Sequence, residues 1–168
     1  MDEERFPYEI VSHWRVRGAI DDVFAVLTDG DSLPRWWPQA YASMKEVVPG
    51  DRRGVGRVAD IVTRGVLPYD IKWRLEITEI DKPTLIRVKA SGELTGRGEW
   101  RIGQEGDEVA LTYTWQVSVG KPWLRRLEFI LKPLFTANHK WAMKKGLEGM
   151  KGELARRALR QSERSVSG

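Results

Sequence analysis

The sequence predicts an α+β fold in which a curved antiparallel β-sheet wraps around a long C-terminal helix, with two short helices after the first strand. Short runs of alternating apolar and polar residues, separated by glycine and proline, follow one another from about residue 41 to 119. No connection between these runs is long enough for a parallel crossover, which favours an antiparallel meander. The only segment long enough to cover the apolar face of this sheet is the helical pattern from about 122 to 161.

Three elements are predicted to precede the meander. Residues 8–17 alternate between apolar and polar side chains as a strand does. Asp21 and Asp22 then lie in a first helical turn, where negative charge is favourable, and an apolar face follows at 23–27. A second short helix is predicted over 32–37 and ends at Pro38. We expect these two helices to close one end of the groove between the sheet and the long helix.

Length and composition predict one globular domain over residues 1–161, followed by a flexible tail at 162–168. The chain is 41% hydrophobic and 31% charged, which is typical of globular proteins. It has no cysteine and only two histidines, so we predict neither a metal site nor a cofactor. The N-terminus is acidic without an apolar segment, and no run approaches the length of a membrane span. These features predict a cytoplasmic protein.

Positive charge is concentrated at the C-terminal end. Residues 1–120 contain 16 basic and 20 acidic residues, whereas residues 121–168 contain 12 basic and 4 acidic residues. A solvated helix face is the simplest interpretation, and a transient contact with an anionic membrane is the alternative. No recognition motif is interleaved with the basic residues, so a nucleic-acid partner is not predicted.

The alternation within the strands predicts which side chains face the groove. This inner face is rich in aromatic rings that carry hydrogen-bonding groups. Two glycines, Gly96 and Gly98, lie side by side on it, which indicates either a bent strand packed against the helix or the close approach of a ligand. The predicted wall of the groove consists of Ile61, Tyr69, Trp73, Gly96, Gly98, Trp100, Tyr113 and Trp115.

The long helix contributes the other wall. Pro133 is predicted to kink or break it between a short piece at 123–131 and a main helix. A rotation of 100° per residue turns the stripe that contains Phe135, His139, Ala142 and Met143 toward the sheet. The same rotation turns Asn138 only sideways, and we expect Gly146 to let the helix approach the strands.

His139 is the polar member of this apolar stripe. Its imidazole is interpreted as a neutral ring with a protein partner such as Tyr69 or Tyr113, as a ligand contact, or as a catalytic acid or base. Tyr113 and Tyr69 are the other two catalytic candidates. No paired carboxylates and no serine with a histidine and an aspartate at motif spacing accompany them.

Four runs follow one another in the chain: AIDDVFAVLTDGDSLPRWWP at 19–38, GVGRVADIVTRGVLPYDIKW at 54–73, SGELTGRGEWRI at 91–102 and NHKWAMKKG at 138–146. This ordered set resembles the START-like helix-grip superfamily, also called SRPBCC, and within it the polyketide cyclase/dehydrase and lipid transport family. The resemblance covers about residues 8–160. It implies a helix-grip fold with a cavity for a hydrophobic ligand. Members bind or transport lipids, bind isoprenoid quinones or cyclise polyketides, and they share no fixed catalytic set that can be transferred here.

Three functional hypotheses follow. The first is binding of a small hydrophobic ligand (a lipid, an isoprenoid or an aromatic polyketide-like molecule), with Trp36 and Trp37 near the entrance of the cavity. The second is a polyketide cyclase or dehydratase that uses His139 and a cavity tyrosine as acid and base. The third is a lipid delivery protein that docks on anionic membranes through its basic C-terminal helix. The inward tryptophans could instead fill the cavity, and the sequence does not predict the oligomeric state.

Overall fold

Seven strands form one antiparallel sheet in this computed structural model, which describes residues 8–64, 69–119, 126 and 128–167. The order of the strands across the sheet is β1-β7-β6-β5-β4-β3-β2, so the first strand pairs with the last and β2 lies at the opposite edge. The strands are β1 (Tyr8–Arg17), β2 (Ser43–Val48), β3 (Val58–Thr63), β4 (Ile71–Asp81), β5 (Leu85–Gly92), β6 (Leu94–Glu105) and β7 (Glu108–Val119).

The helices lie where the sequence predicts them. Helix α1 spans Ile20–Thr28, a 3₁₀ turn follows at Gly30–Ser32, and helix α2 is a single turn at Leu33–Trp36. The long helix α3 spans Glu128–Val166 and packs against β1, α1 and α2. The predicted α+β class, the six-strand meander and the closing helix are therefore confirmed.

Alternation within the strands is confirmed as well. In β4, Ile71, Trp73, Leu75 and Ile77 are buried and the residues between them are exposed. The same period of two runs through β6 and β7, because each strand has one face toward the core and one face toward solvent. The apolar faces of the strands, α1, α2 and the inner side of α3 together form the core.

Of the kink or break predicted at Pro133, the break is wrong, because α3 runs through this residue. Pro133 lies within two turns of the first described helical residues, where it removes only one backbone hydrogen bond, to the carbonyl of Phe129. The predicted short helix at 123–131 lies partly outside the described residues. At its other end α3 continues to Val166, so its end was predicted too early. The assignment of one domain with a flexible tail remains a prediction.

Candidate functional site

A cavity of about 130 Å³ lies between the sheet and the first half of α3. Eight of its lining residues are among those that the sequence predicts: Trp37, Trp73, Tyr113, Trp115, Phe135, His139, Ala142 and Met143. The tryptophans therefore do not fill the space between sheet and helix completely. Whether these residues bind a ligand is not established by their position, and their role remains a prediction.

Six predicted residues lie away from the cavity lining: Trp36, Ile61, Tyr69, Gly96, Gly98 and Trp100. Ile61 and Trp100 belong to the core, which extends past the end of the cavity. Tyr69 precedes β4 and is half-buried against the core. The strand period gives the correct face for these residues, but it does not say how far along the strand the cavity extends.

The two glycines of β6 make room for protein atoms. A Cβ on Gly96 would lie 2.1 Å from the carbonyl oxygen of Gln116 in β7, and a Cβ on Gly98 would lie 2.8 Å from the Tyr113 hydroxyl. Gly98 also faces Trp115, its register partner on β7. Both glycines are therefore packed against the neighbouring strands, whereas the sequence predicted packing of a bent strand against the helix or the close approach of a ligand.

The expectation that Trp36 and Trp37 flank an entrance is wrong, because both are buried in the core. Trp37 Nε1 donates to the carbonyl oxygen of Ala142 at 2.8 Å, which ties α2 to α3. A Cβ on Gly146 would lie 2.4 Å from the Trp37 ring. Gly146 thus admits the indole of Trp37, whereas the sequence predicted that it lets the helix approach the strands.

Aromatic rings form a large part of the cavity wall. The Tyr113 ring stacks on Trp100 at 4.3 Å and on Trp115 at 6.0 Å between centroids, and Trp115 in turn lies 5.9 Å from Trp73. On the helix side, Phe135 meets Tyr8 edge to face at 5.8 Å. Such contacts hold the rings in place, so the wall is largely preformed.

Hydrogen bonds hold one side of this wall. Trp73 Nε1 donates to Thr63 Oγ1 at 2.9 Å, and Thr63 Oγ1 donates to the carbonyl oxygen of Ala40 at 2.6 Å. Both donors already bond to protein atoms. A ligand could therefore use them only if one of these two hydrogen bonds were broken. The polar groups that a ligand can use are elsewhere in the cavity.

Two buried polar atoms of the lining have no hydrogen-bond partner within the described part of the chain: His139 Nε2 and Gln39 Oε1. The His139 ring lies nearly parallel to the Tyr113 ring, with centroids 6.4 Å apart. Tyr113 is therefore a stacking neighbour of His139. Burial lowers the pKa of His139 to about 4, so the imidazole is neutral at neutral pH.

The cavity tyrosines are protonated. Burial raises the pKa of Tyr41 to about 12. Burial, with a smaller contribution from the neighbouring Tyr41, raises the pKa of Tyr113 well above its usual value. Neither hydroxyl forms a hydrogen bond to another residue in the ranges that the structure describes. Both tyrosine hydroxyls can therefore donate a hydrogen bond to a ligand at neutral pH.

Sequence reasoning missed ten residues of the lining. Ile71, Leu94 and Val117 share the inner faces that the strand period predicts, so that signal was sufficient to find them. Gln39, Ala40 and Tyr41 follow α2 without a regular period, and no signal in the sequence identifies them. The residues missed are Tyr8, Ile10, Gln39, Ala40, Tyr41, Thr63, Ile71, Leu94, Val117 and Asn138.

The helical rotation predicted the wrong direction for Asn138. The sequence turned it sideways, but the structure places it on the cavity lining next to His139. The cavity lining therefore covers a wider arc of the helix surface than the single apolar stripe on which the prediction was based.

No helix in the described ranges is long and apolar enough to span a membrane. No curated protein sequence matches the chain. Three solved structures are similar in fold at low sequence identity. A START superfamily protein from Mycobacterium smegmatis is 10% identical with a TM-score of 0.72, and the match covers 88% of this chain and 97% of the other.

The Zhui aromatase/cyclase from Streptomyces sp. R1128 is 16% identical with a TM-score of 0.70, over 90% of this chain and 95% of that one. Norcoclaurine synthase from Thalictrum flavum, solved in complex with dopamine and hydroxybenzaldehyde, is 17% identical with a TM-score of 0.62, over 89% and 87%. At these identities the similarity shows the fold alone. Residues 9–155 match the family described as polyketide cyclase / dehydrase and lipid transport, and the chain belongs to this family.

Proposed function

We propose that the cavity binds a small aromatic ligand that carries a hydrogen-bonding group, such as a phenol. The observation that carries this proposal is His139 Nε2, a buried atom without a partner in the described chain, at the wall of an aromatic cavity. A buried polar atom that lacks a hydrogen bond costs free energy. A ligand hydroxyl at this position supplies the missing partner and offsets that cost.

The size of the cavity favours an aromatic ligand over a long lipid or isoprenoid. A volume of about 130 Å³ suits one or two rings, and apolar cavities of similar size in other proteins admit benzene. Two structures with the same fold support this ligand class by analogy. One is an aromatase/cyclase, and the other holds dopamine and hydroxybenzaldehyde, both phenols.

The protonation states of the cavity groups suit a hydroxyl. The neutral His139 ring has one nitrogen that accepts a hydrogen bond, and the Tyr41 and Tyr113 hydroxyls donate. A phenol both donates and accepts, so it can satisfy an acceptor and a donor of the cavity at once. Burial of its ring against the aromatic wall supplies the main driving force.

The proposal is tested by titrating the protein with phenol, 2-naphthol and toluene while tryptophan fluorescence and the melting temperature are recorded. Trp37, Trp73 and Trp115 line the cavity and report on its occupancy. We expect phenol to bind about tenfold more tightly than toluene, which fits the same space but forms no hydrogen bond. The binding proposal fails if none of the three ligands changes either signal.

Two variants with a matched control locate the binding. His139→Leu should remove the preference for phenol over toluene while toluene still binds, and Ala142→Leu should block all three ligands by filling the cavity. Ala137→Leu is the control, because Ala137 is exposed on the same helix. If Ala137→Leu weakens binding as much as Ala142→Leu does, the ligand lies elsewhere.

A cyclase or dehydratase is the second candidate, supported by the unpaired His139 nitrogen inside the cavity. A pKa of about 4 makes this imidazole a weak base at neutral pH, and for this reason we rank catalysis below binding. The test is turnover of an aromatic polyketide substrate by wild type, His139→Leu and Tyr113→Phe. Loss of turnover in both variants with unchanged toluene affinity would favour the enzyme.

A further inference from the structure

The first half of α3 exposes large apolar side chains on the side opposite the cavity. Phe129 is 94% exposed and Ile130 is 70% exposed, and Leu134 and Trp141 are also exposed. Ile130, Leu134 and Trp141 follow one another at spacings of four and seven residues, so they lie on one side of the helix. We call these four residues the outer patch. Single exposed apolar residues are common, but several large ones along one half of a helix indicate a binding surface.

Unpaired lysines lie beside the outer patch. Residues 129–147 contain four lysines and no acidic residue. Lys140 and Lys144 are exposed on the side of the helix that carries Ile130 and Trp141, and neither forms an ion pair with another residue in the part of the chain that is described. Each carries a positive charge beside an apolar surface, and its methylene stem can lie along that surface.

The second half of α3 is also basic, and part of its charge is paired. Arg156 and Arg157 both pair with Glu153, and Arg157 also pairs with Asp29 at 2.6 Å. Lys151, Arg160 and Arg164 form no ion pair within the described residues, so what distinguishes the first half is that its unpaired lysines lie beside large exposed apolar side chains. The apolar and basic features coincide on one half of one helix.

We propose that the outer patch and its lysines dock the protein on an anionic lipid bilayer, with α3 lying parallel to the membrane surface. Helices that bind in this way combine Trp, Phe and Leu on one side with lysines that contact anionic headgroups. Trp141 suits the boundary between acyl chains and headgroups, where its ring is half in each environment. The absence of acidic side chains from 129–147 removes the repulsion that such a surface would otherwise meet.

This docking does not depend on the ligand proposed for the cavity. Phe135, His139 and Ala142 face the cavity, whereas Ile130 and Trp141 face outward from the same turns of α3. Substitutions in the outer patch are therefore expected to leave phenol binding unchanged. Failure of one proposal is thus distinguishable from failure of the other.

The experiment is co-sedimentation of the full chain with vesicles of phosphatidylcholine alone and of equal parts phosphatidylcholine and phosphatidylglycerol. We expect sedimentation with the mixed vesicles at low salt, release at high salt and little binding to phosphatidylcholine alone. Ile130→Asn should weaken the partitioning about tenfold. Lys140→Gln and Lys144→Gln should each weaken it about fivefold.

Matched controls lie on the solvent face of the sheet, which is turned away from α3. Val11 is 48% exposed and Lys89 is exposed, so Val11→Asn and Lys89→Gln make comparable chemical changes outside the outer patch. Both controls should bind the mixed vesicles as wild type does. The proposal is overturned if wild type does not sediment with the mixed vesicles or if the controls lose as much binding as the patch variants. It is also overturned if Ile130→Asn instead abolishes a dimer detected by light scattering.

Discussion

The two halves of α3 differ in whether their buried polar groups have hydrogen-bond partners. In the cavity half, residues 135–143, the buried Nε2 of His139 has no partner in the described chain. In the anchor half, residues 146–157, the carboxylate of Glu153 accepts hydrogen bonds from Arg35, Arg156 and Arg157 at 2.7–3.0 Å. One half leaves a neutral group available, and the other satisfies a charged group completely.

The anchor half also has the closer helix packing. Gly146 and Gly149 let Trp37 and the backbone of Trp36 approach α3, and Arg35 from the same short helix reaches Glu153. These contacts hold the anchor half in place, and the hydrogen bond from Trp37 Nε1 to the carbonyl oxygen of Ala142 holds the adjoining end of the cavity half. We infer that this division of roles is what leaves a cavity with unpaired polar atoms in a stable domain.

Removing the anchor carboxylate should have the largest effect on stability. We expect Glu153→Ala to lower the free energy of unfolding by about 3 kcal/mol, because three charged hydrogen bonds are lost while the arginines, which are partly exposed, recover some solvation. Urea denaturation monitored by circular dichroism measures this loss. Arg160→Ala, which removes an exposed charge from the same helix, is the control and should change stability little.

The pH dependence sharpens this prediction. Burial raises the pKa of Glu153, but the hydrogen bonds from Arg156, Arg157 and Arg35 outweigh it and lower the pKa to about 2. The stabilisation is therefore complete above the unfolded pKa of about 4.5 and is lost as the pH falls towards 2. A difference between wild type and Glu153→Ala that stays constant from pH 4.5 to 2 would contradict the ion-pair explanation.

A methyl group at the helix crossing should have the next largest effect. A Cβ on Gly149 would lie 1.9 Å from the carbonyl oxygen of Trp36, so the two backbones must separate. We expect Gly149→Ala to lower the free energy of unfolding by about 2 kcal/mol, since overpacking costs about 3 kcal/mol and alanine returns about 1 kcal/mol of helix propensity. Thermal denaturation gives the value.

Gly152→Ala is the matched control one turn further along α3. A Cβ on Gly152 has no atom within 4 Å in the described structure, so alanine should raise stability by up to about 1 kcal/mol through helix propensity. If both substitutions stabilise the protein, α2 does not hold α3 at Gly149, and the contrast between the two halves is wrong.

The sequence predicts the anchor half less well than the cavity half. Phe135, His139, Ala142 and Met143 were found because an apolar stripe on a helix must face the sheet. Glu153 carries no such signal, since a glutamate in a basic helix is usually exposed, and only the tertiary contact with Arg35 explains its burial.

The fold could be predicted because the alternation within each strand and the order of the elements can be read directly from the sequence. The extent of the cavity could not be predicted, because it depends on how far side chains from distant elements fill the space between the sheet and α3. Trp100 and Trp115 have the same strand pattern, yet only Trp115 lines the cavity. Gly98 lies on the face of β6 that the sequence predicts, but the Tyr113 side chain, and not the cavity, occupies the space beside it.

The smallest predicted effect concerns the cavity half, and it appears at a different pH. Burial lowers the folded-state pKa of His139 to about 4, below the value of 6.5 expected in the unfolded chain. The unfolded state therefore binds more protons between these values, and stability is lost as the pH falls from 6.5 towards 4. At pH 5 we expect His139 to account for a loss of about 1 to 2 kcal/mol relative to pH 7.

The measurement is urea denaturation of wild type and His139→Gln from pH 7 to pH 4.5, where the Glu153 carboxylate remains ionised. Because glutamine does not titrate, the variant should lose less stability than wild type as the pH falls. Equal slopes for wild type and His139→Gln would mean that His139 is not held neutral, and the contrast with Glu153 would then lose its basis.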